Sequence, residues 1–320
     1  MKTPSLWCDF IENDFLDREF PQLLVSKING ATSNPAIFKA ALSSPSYTDK
    51  IAKLRGKGPK EIYEALAIQD IQKAADKLAF KFAQGDDGFI SLEIDPRLHD
   101  NAALSIGEAK RLYSAIAKEN LMMKIPATPA SYEAMFELMK SGIHVNATLI
   151  FSPEQARLCF EALSEGLRAF RRSQFSAFKS GEIPKEPSAV ISIFVSRLDT
   201  ALNSQLKEKN QIGILNATQA YQHIMDGGEG RIRPLFASTG VKDATLPKDY
   251  YIKALLFEGA INTAPLDAIR AFRGGDFQIP SSTRPHHLLS QEKLNQAYKN
   301  LLSEGLNAFC VAFEDILKAF

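Results

Sequence analysis

Short apolar runs rich in β-branched and aromatic residues recur eight times along the chain: 5–10 (SLWCDF), 31–38 (ATSNPAIF), 89–95 (FISLEID), 122–127 (MMKIPA), 144–150 (HVNATLI), 189–196 (AVISIFVS), 233–239 (RPLFAST) and 260–265 (AINTAP). Each has the length and composition of a buried strand. Between them the period changes. Ala67, Ile71, Ala74 and Leu78 are spaced by four, three and four, which puts an apolar stripe on one face of a helix. Helix starts are marked as well: Ser152-Pro153-Glu154-Gln155 is a capping box with proline at the first helical position, and Asn34-Pro35 repeats the cap-then-proline order directly after a strand. Strands alternating with helices predict parallel β-α units, and eight of them close into a (β/α)8 barrel. The competing doubly wound sheet needs a glycine-rich first turn. None is present, because Gly227, Gly228 and Gly230 lie in a polar, helix-ending stretch that reads as a loop. No low-complexity linker divides the chain, so a single barrel domain over 1–320 is expected. Residues 171–188 are polar and proline-containing and read as a surface excursion after the fifth helix. Residues 290–320 form a long amphipathic pattern with Leu294, Ala297, Leu301 and Leu302 on one side, expected to pack over the barrel as an added helix.

Composition narrows the function classes. A chain of 320 residues can bury roughly three quarters of its unfolded surface. With 38 basic and 37 acidic residues the net charge is +1, which argues against nucleic acid or a membrane surface as partner. Arg168, Arg171 and Arg172 follow a helical pattern and read as a solvated face. Cys8, Cys159 and Cys310 are odd in number and sit in apolar settings, as expected of buried free thiols in a reducing compartment. They share no metal-ligand spacing with the five histidines. The N-terminal MKTPSLWCDFIENDF reaches acidic residues before any long apolar run, unlike a secretory signal. No stretch approaches the roughly 20 apolar residues of a membrane span. A soluble cytoplasmic protein is expected.

The polar residues inside the strands carry the chemistry. At the C-terminal ends of barrel strands, side chains from distant segments converge on one mouth. Those available are Asp9, Thr32 and Asn34, Glu93, Lys124, Asn146 and Thr148, Ser192 and Arg197, then Ser238, Thr239 and Lys242. Taken singly they are ordinary: strand-end asparagines mostly satisfy backbone groups, and Lys27 reads as a snorkelling surface residue. Asn146 and Thr148 share strand parity, however, as do Ser192 and Phe194, so each pair faces one way. Lys124 stands out. LMMKIPATP sets it in an apolar segment, where an ammonium without a partner is costly.

GATSNPAIF, SLEIDPRL, MMKIPATP, HVNATLIFS, ISIFVSR and PLFASTGVK, in this order and spacing, resemble the successive active-site motifs of the transaldolases, class I aldolase-type enzymes of the pentose phosphate pathway. The resemblance runs from about residue 5 to residue 272. It implies a (β/α)8 barrel, sugar phosphate substrates and no metal or organic cofactor. It also implies transfer of a dihydroxyacetone unit from sedoheptulose 7-phosphate to glyceraldehyde 3-phosphate, giving erythrose 4-phosphate and fructose 6-phosphate.

By the same resemblance Lys124 is the Schiff-base lysine, and its apolar setting disfavours the charged form that could not attack a ketone. Glu93 and Thr148 are implied to hold a water that moves protons during imine formation. Asp9 is implied to take the C4 hydroxyl proton as the carbon-carbon bond breaks. Asn34, Asn146 and Ser192 would bind the dihydroxyacetone hydroxyls, Thr32 would support Asn34, and Phe194 would keep water from the intermediate. Arg197, Lys242 and Ser238 would form the phosphate clamp. The sequence departs from the family pattern in places: Ile193 and Ser196 stand where some relatives have proline and glycine, and Lys242 where part of the family has arginine, which loses bidentate geometry. Two alternatives stay open. One is a transaldolase-like fructose 6-phosphate aldolase, whose members are shorter and carry tyrosine at the place of Phe194. The other is a sugar-phosphate-binding barrel without turnover. A monomer or a homodimer is expected.

Overall fold

The computed structural model describes residues 4–175 and 184–320. Eight parallel strands close into a barrel in sequence order: β1 Ser5–Cys8, β2 Gly30–Thr32, β3 Ile90–Glu93, β4 Leu121–Pro126, β5 His144–Ile150, β6 Ala189–Phe194, β7 Ile232–Ala237 and β8 Ile261–Ala264. Each of the eight apolar runs falls on a strand, five containing theirs whole and three starting one residue late, at β2, β4 and β7. The second is the least faithful, since ATSNPAIF continues past a three-residue strand into a helix, Pro35–Leu42. Its boundary is chemical: the Asn34 side chain accepts the Ile37 N–H at 3.0 Å and proline occupies the first helical position. Ser152 does the same for the Pro153–Ser173 helix, where Gln155 reaches back to the Ser152 N–H as well.

Alternation along the strands divides the core in two. One set, with Leu6, Cys8, Ala31, Leu92, Met123, Val145, Ile191 and Phe236, packs outward against the surrounding helices. The buried stripe Ala67, Ile71, Ala74 and Leu78 of the Pro59–Ala83 helix belongs to this layer. The other set points inward, where Trp7, Met122, Val190, Phe194, Leu235 and Ile261 fill the barrel. Gly30 is needed there. A Cβ at this position would lie 2.5 Å from the Trp7 ring, so the indole can cross the interior only beside a glycine. The Trp7 Nε1–H donates to Asp87 at 2.9 Å, and Arg233 pairs with the same carboxylate. This polar plug closes the N-terminal end.

The C-terminal helix, Gln291–Lys318, lies across the opposite end. Leu294, Ala297, Tyr298, Leu301 and Phe309 join the interior cluster of Leu149, Phe151 and Phe194. Gly305 allows the approach, because a Cβ there would stand 3.0 Å from Leu149 Cδ2. Further along, the Phe313 ring packs on Tyr63 at 5.1 Å and under the Arg97 guanidinium at 5.0 Å, which anchors the helix to the loop after β3.

Three surface expectations change. Lys27 lies just past the Phe20–Ser26 helix, and its ammonium donates to the carbonyls of Ile269, Arg270 and Phe272 at 2.9, 3.1 and 2.8 Å. It caps the end of the Leu266–Ala271 helix rather than trailing into solvent. Arg171 is drawn into ion pairs with Glu186 and Glu229, both at 2.7 Å, while Arg168 stays exposed. Cys8 and Cys159 are buried free thiols, but Cys310 on the C-terminal helix is only half-buried. Of the 171–188 excursion, residues 171–173 still belong to the Pro153–Ser173 helix, and residues 176–183 lie outside the described residues.

Candidate active site

Lys124 is the last inward residue before the Pro126 end of β4, and the register sets Glu93 of β3 and Asn146 of β5 on either side of it. That adjacency follows from strand parity and pairing alone. The Lys124 side chain is buried, its Nζ donating to the Ser33 carbonyl at 2.9 Å and lying 3.5 Å from Glu93 Oε2. Phe309 reaches down from the C-terminal helix to place its ring 5.9 Å from the amine. The pocket around Lys124 is therefore roofed by an element far away in sequence.

Glu93 is buried, and neither carboxylate oxygen has a hydrogen-bond partner; the same holds for the hydroxyl of buried Thr148. Burial pushes the Glu93 carboxyl from 4.5 up to about 7, against the opposing pull of Lys124 and with a further push from the Asp9 charge. Unpaired buried oxygens are rare in proteins and cluster where a ligand or a reacting water belongs. Thr148 owes its place to an irregularity: β5 and β6 shift register between Ala147 and Ile150, and Leu149 adopts the left-handed region at φ 59°. A bulge of this kind re-aims side chains beside active sites. It also turns Leu149 into the inner cluster beneath Gly305.

Asp9 lies just past β1. Its Oδ1 accepts the Thr32 hydroxyl at 2.6 Å, and Thr32 is 2.8 Å from the Thr263 hydroxyl. Thr32 thus supports Asp9, not Asn34 as expected. The Asn34 carbonyl oxygen is committed to capping its helix, which leaves only its NH2 to offer. Asn146 donates to Ser91 Oγ at 3.0 Å and accepts from Ser192 at 2.6 Å, a buried chain across three strands. Its members hold one another at fixed angles.

Arg197 occupies the first turn of the Ser196–Leu202 helix, with its guanidinium 5.2 Å from the centre of the Phe194 ring. It pairs with no carboxylate among the described residues, and burial lowers its affinity for its proton, partly countered by Glu304 and Asp9. Phe194 packs inside, edge to face with Phe151 at 5.2 Å, as its parity with Ser192 requires. Ser238, at φ 53°, lies 3.1 Å from the Ser196 hydroxyl and so borders Arg197 through its neighbour. Lys242 is exposed and makes no hydrogen bond or ion pair among the described residues. The structure does not bring it to a partner.

Sequence reasoning missed Ser33, Ser91, Thr263 and Phe309. Ser91 shares parity with Glu93 two residues on, and that signal could have found it. Thr263 lies on the one strand whose polar residues were not weighed. Nothing in local sequence marks Phe309 or the Ser33 carbonyl. No group of three or more metal-ligating side chains occurs among the described residues, and none of their helices is long and apolar enough to cross a membrane.

Comparison with known proteins shows the family. The sequence model of the family described as "Transaldolase/Fructose-6-phosphate aldolase" matches residues 6–320. A protein of Campylobacter jejuni subsp. doylei named Transaldolase is 63% identical over the full length of both chains. One of Helicobacter pylori with the same name is 42% identical, again over the whole of both. The chain is an enzyme of the transaldolase/fructose-6-phosphate aldolase family.

Proposed function

We propose that the protein is a transaldolase that moves a dihydroxyacetone unit from sedoheptulose 7-phosphate to glyceraldehyde 3-phosphate through a Schiff base on Lys124, yielding erythrose 4-phosphate and fructose 6-phosphate. The observation that carries this reading is a buried lysine amine 3.5 Å from a carboxyl raised to about 7, at the end of a barrel strand. A carboxyl titrating near neutrality can both give and take a proton, the requirement for forming and dehydrating a carbinolamine. Lys124 attacks the C2 carbonyl of the ketose; the oxygen leaves as water, with Glu93 and Thr148 handling the protons, and an iminium remains. Asp9 then accepts the C4 hydroxyl proton while the C3–C4 bond breaks. Its electron pair passes into the iminium as an enamine, and the aldose departs. Addition to a second aldehyde runs these steps in reverse.

The remaining residues hold the substrate. The Ser91–Asn146–Ser192 chain offers polar groups of fixed orientation to the three-carbon unit. Arg197, its plane supported by Phe194 and its charge not spent on a carboxylate among the described residues, suits the phosphate. Ser238 and Lys242 would complete that clamp. The test is direct: incubation with fructose 6-phosphate and erythrose 4-phosphate should produce sedoheptulose 7-phosphate and glyceraldehyde 3-phosphate in equal amounts. Release of free dihydroxyacetone without transfer would instead indicate an aldolase, and no turnover would leave only a binding barrel.

A further inference from the structure

From the hydroxyl chain beside Asp9 we infer that Thr263 is a positioning residue for the carbon-carbon bond-breaking step, acting through Thr32 on the Asp9 carboxylate. The inference rests on the assignment of Asp9 as the base for the C4 hydroxyl. Thr263 projects inward from β8, two residues beyond Ile261 of the barrel interior, and is buried. Its hydroxyl lies 2.8 Å from that of Thr32, which is 2.6 Å from Asp9 Oδ1. The direction of the chain is determined by proton count. A carboxylate has no proton to give, so Thr32 spends its only one on Asp9; Thr32 can then only accept, and Thr263 must be the donor. The polarity runs from Thr263 to Thr32 to Asp9, and each bond strengthens the next.

Thr263 is itself fixed. Its carbonyl accepts the buried Thr239 hydroxyl at 2.7 Å, and the Asp9 N–H donates to the carbonyl of the next residue, Ala264, at 2.9 Å. Strand β8 therefore holds both the backbone and the side chain of Asp9. One carboxylate oxygen is pinned by Thr32, so the plane of the group is set and Oδ2 remains to receive the substrate proton. No hydrogen bond of this chain reaches Lys124, Glu93 or Thr148, and loss of the Thr263 hydroxyl leaves in place the Asp9 charge that acts on Glu93, so imine formation should be unaffected.

The experiment separates the two steps in single turnovers with fructose 6-phosphate. The amount of adduct trapped on the enzyme by borohydride at early times reports imine formation, and the burst of glyceraldehyde 3-phosphate reports cleavage. Thr263→Val, similar in shape but without the donor, should form the imine at the parental rate and cleave roughly five- to tenfold more slowly, the effect of one lost neutral hydrogen bond. Thr263→Ser should restore cleavage, which a packing role would not predict. Parental cleavage by Thr263→Val, or equal slowing of both steps, overturns the inference. Asp9→Asn run alongside keeps the two claims apart: if it cleaves normally the base assignment is wrong, whereas slow cleavage by Asp9→Asn with normal cleavage by Thr263→Val refutes the role of Thr263 alone.

Discussion

Replacing Glu93 with glutamine tests whether its carboxyl is held protonated by burial. The native state raises this group from 4.5 to about 7, so it binds the proton more tightly than the unfolded chain does. The associated stability is complete below about pH 4.5 and is lost as the pH rises through about 7. Between about pH 5 and pH 8 a single group shifted this far costs the native state roughly 2–3 kcal/mol. Glutamine has nearly the same shape and no proton to lose. Urea unfolding of both proteins at the two pH values, extrapolated to water, gives the comparison, and other carboxyls largely cancel in the difference. The stability of Glu93→Gln relative to the parent should rise by roughly 2–3 kcal/mol from the lower to the higher pH. The variant should also form the imine far more slowly, because an amide cannot exchange protons with the water. A relative stability that does not change with pH would show that Glu93 titrates as an ordinary carboxylate, and the acid-base role drawn from its burial would fall.

Two further substitutions probe the rest of the site. Arg197→Ala should lower kcat/KM for phosphorylated substrates by about 2–4 kcal/mol, the loss expected for one partner of a charge-assisted pair, while non-phosphorylated analogues should hardly notice; equal losses with both would make Arg197 structural. Phe194→Tyr introduces a phenolic donor inside the mouth, and the ratio of free dihydroxyacetone to transferred product, followed with erythrose 4-phosphate as acceptor, should rise; an unchanged ratio in a folded variant would mean the ring only packs and supports Arg197.

The barrel was readable because its parallel strands are covered on both faces and so appear as short, largely apolar runs. Ends were read less well. ATSNPAIF runs a strand, a cap and a helix together in eight residues, and the Asn34-Pro35 chemistry separates them. Shared parity put Asn146 with Thr148 and Ser192 with Phe194, since the two-residue period leaves no freedom once one face is known, while Lys124 was read from its apolar setting near a strand end. Partners across the barrel were harder. Thr32 and Asn34 are close in sequence, but the Asn34 side chain turns to cap its helix, and Thr32 turns to Asp9 after β1 and to Thr263 on β8 instead. Lys27 was misread because a helix end more than 240 residues away supplies its carbonyls. The roof was out of reach for the same reason: the apolar stripe of the last helix predicts that it packs, and only tertiary structure brings Phe309 over Lys124.

Borohydride reduction in the presence of fructose 6-phosphate, followed by peptide mapping, tests the central claim most directly. The account predicts one dihydroxyacetone-derived adduct per chain, on Lys124, absent from Lys124→Met and independent of added metal. Labelling of another lysine, such as Lys27 or Lys253, or unaltered turnover by Lys124→Met, would contradict it.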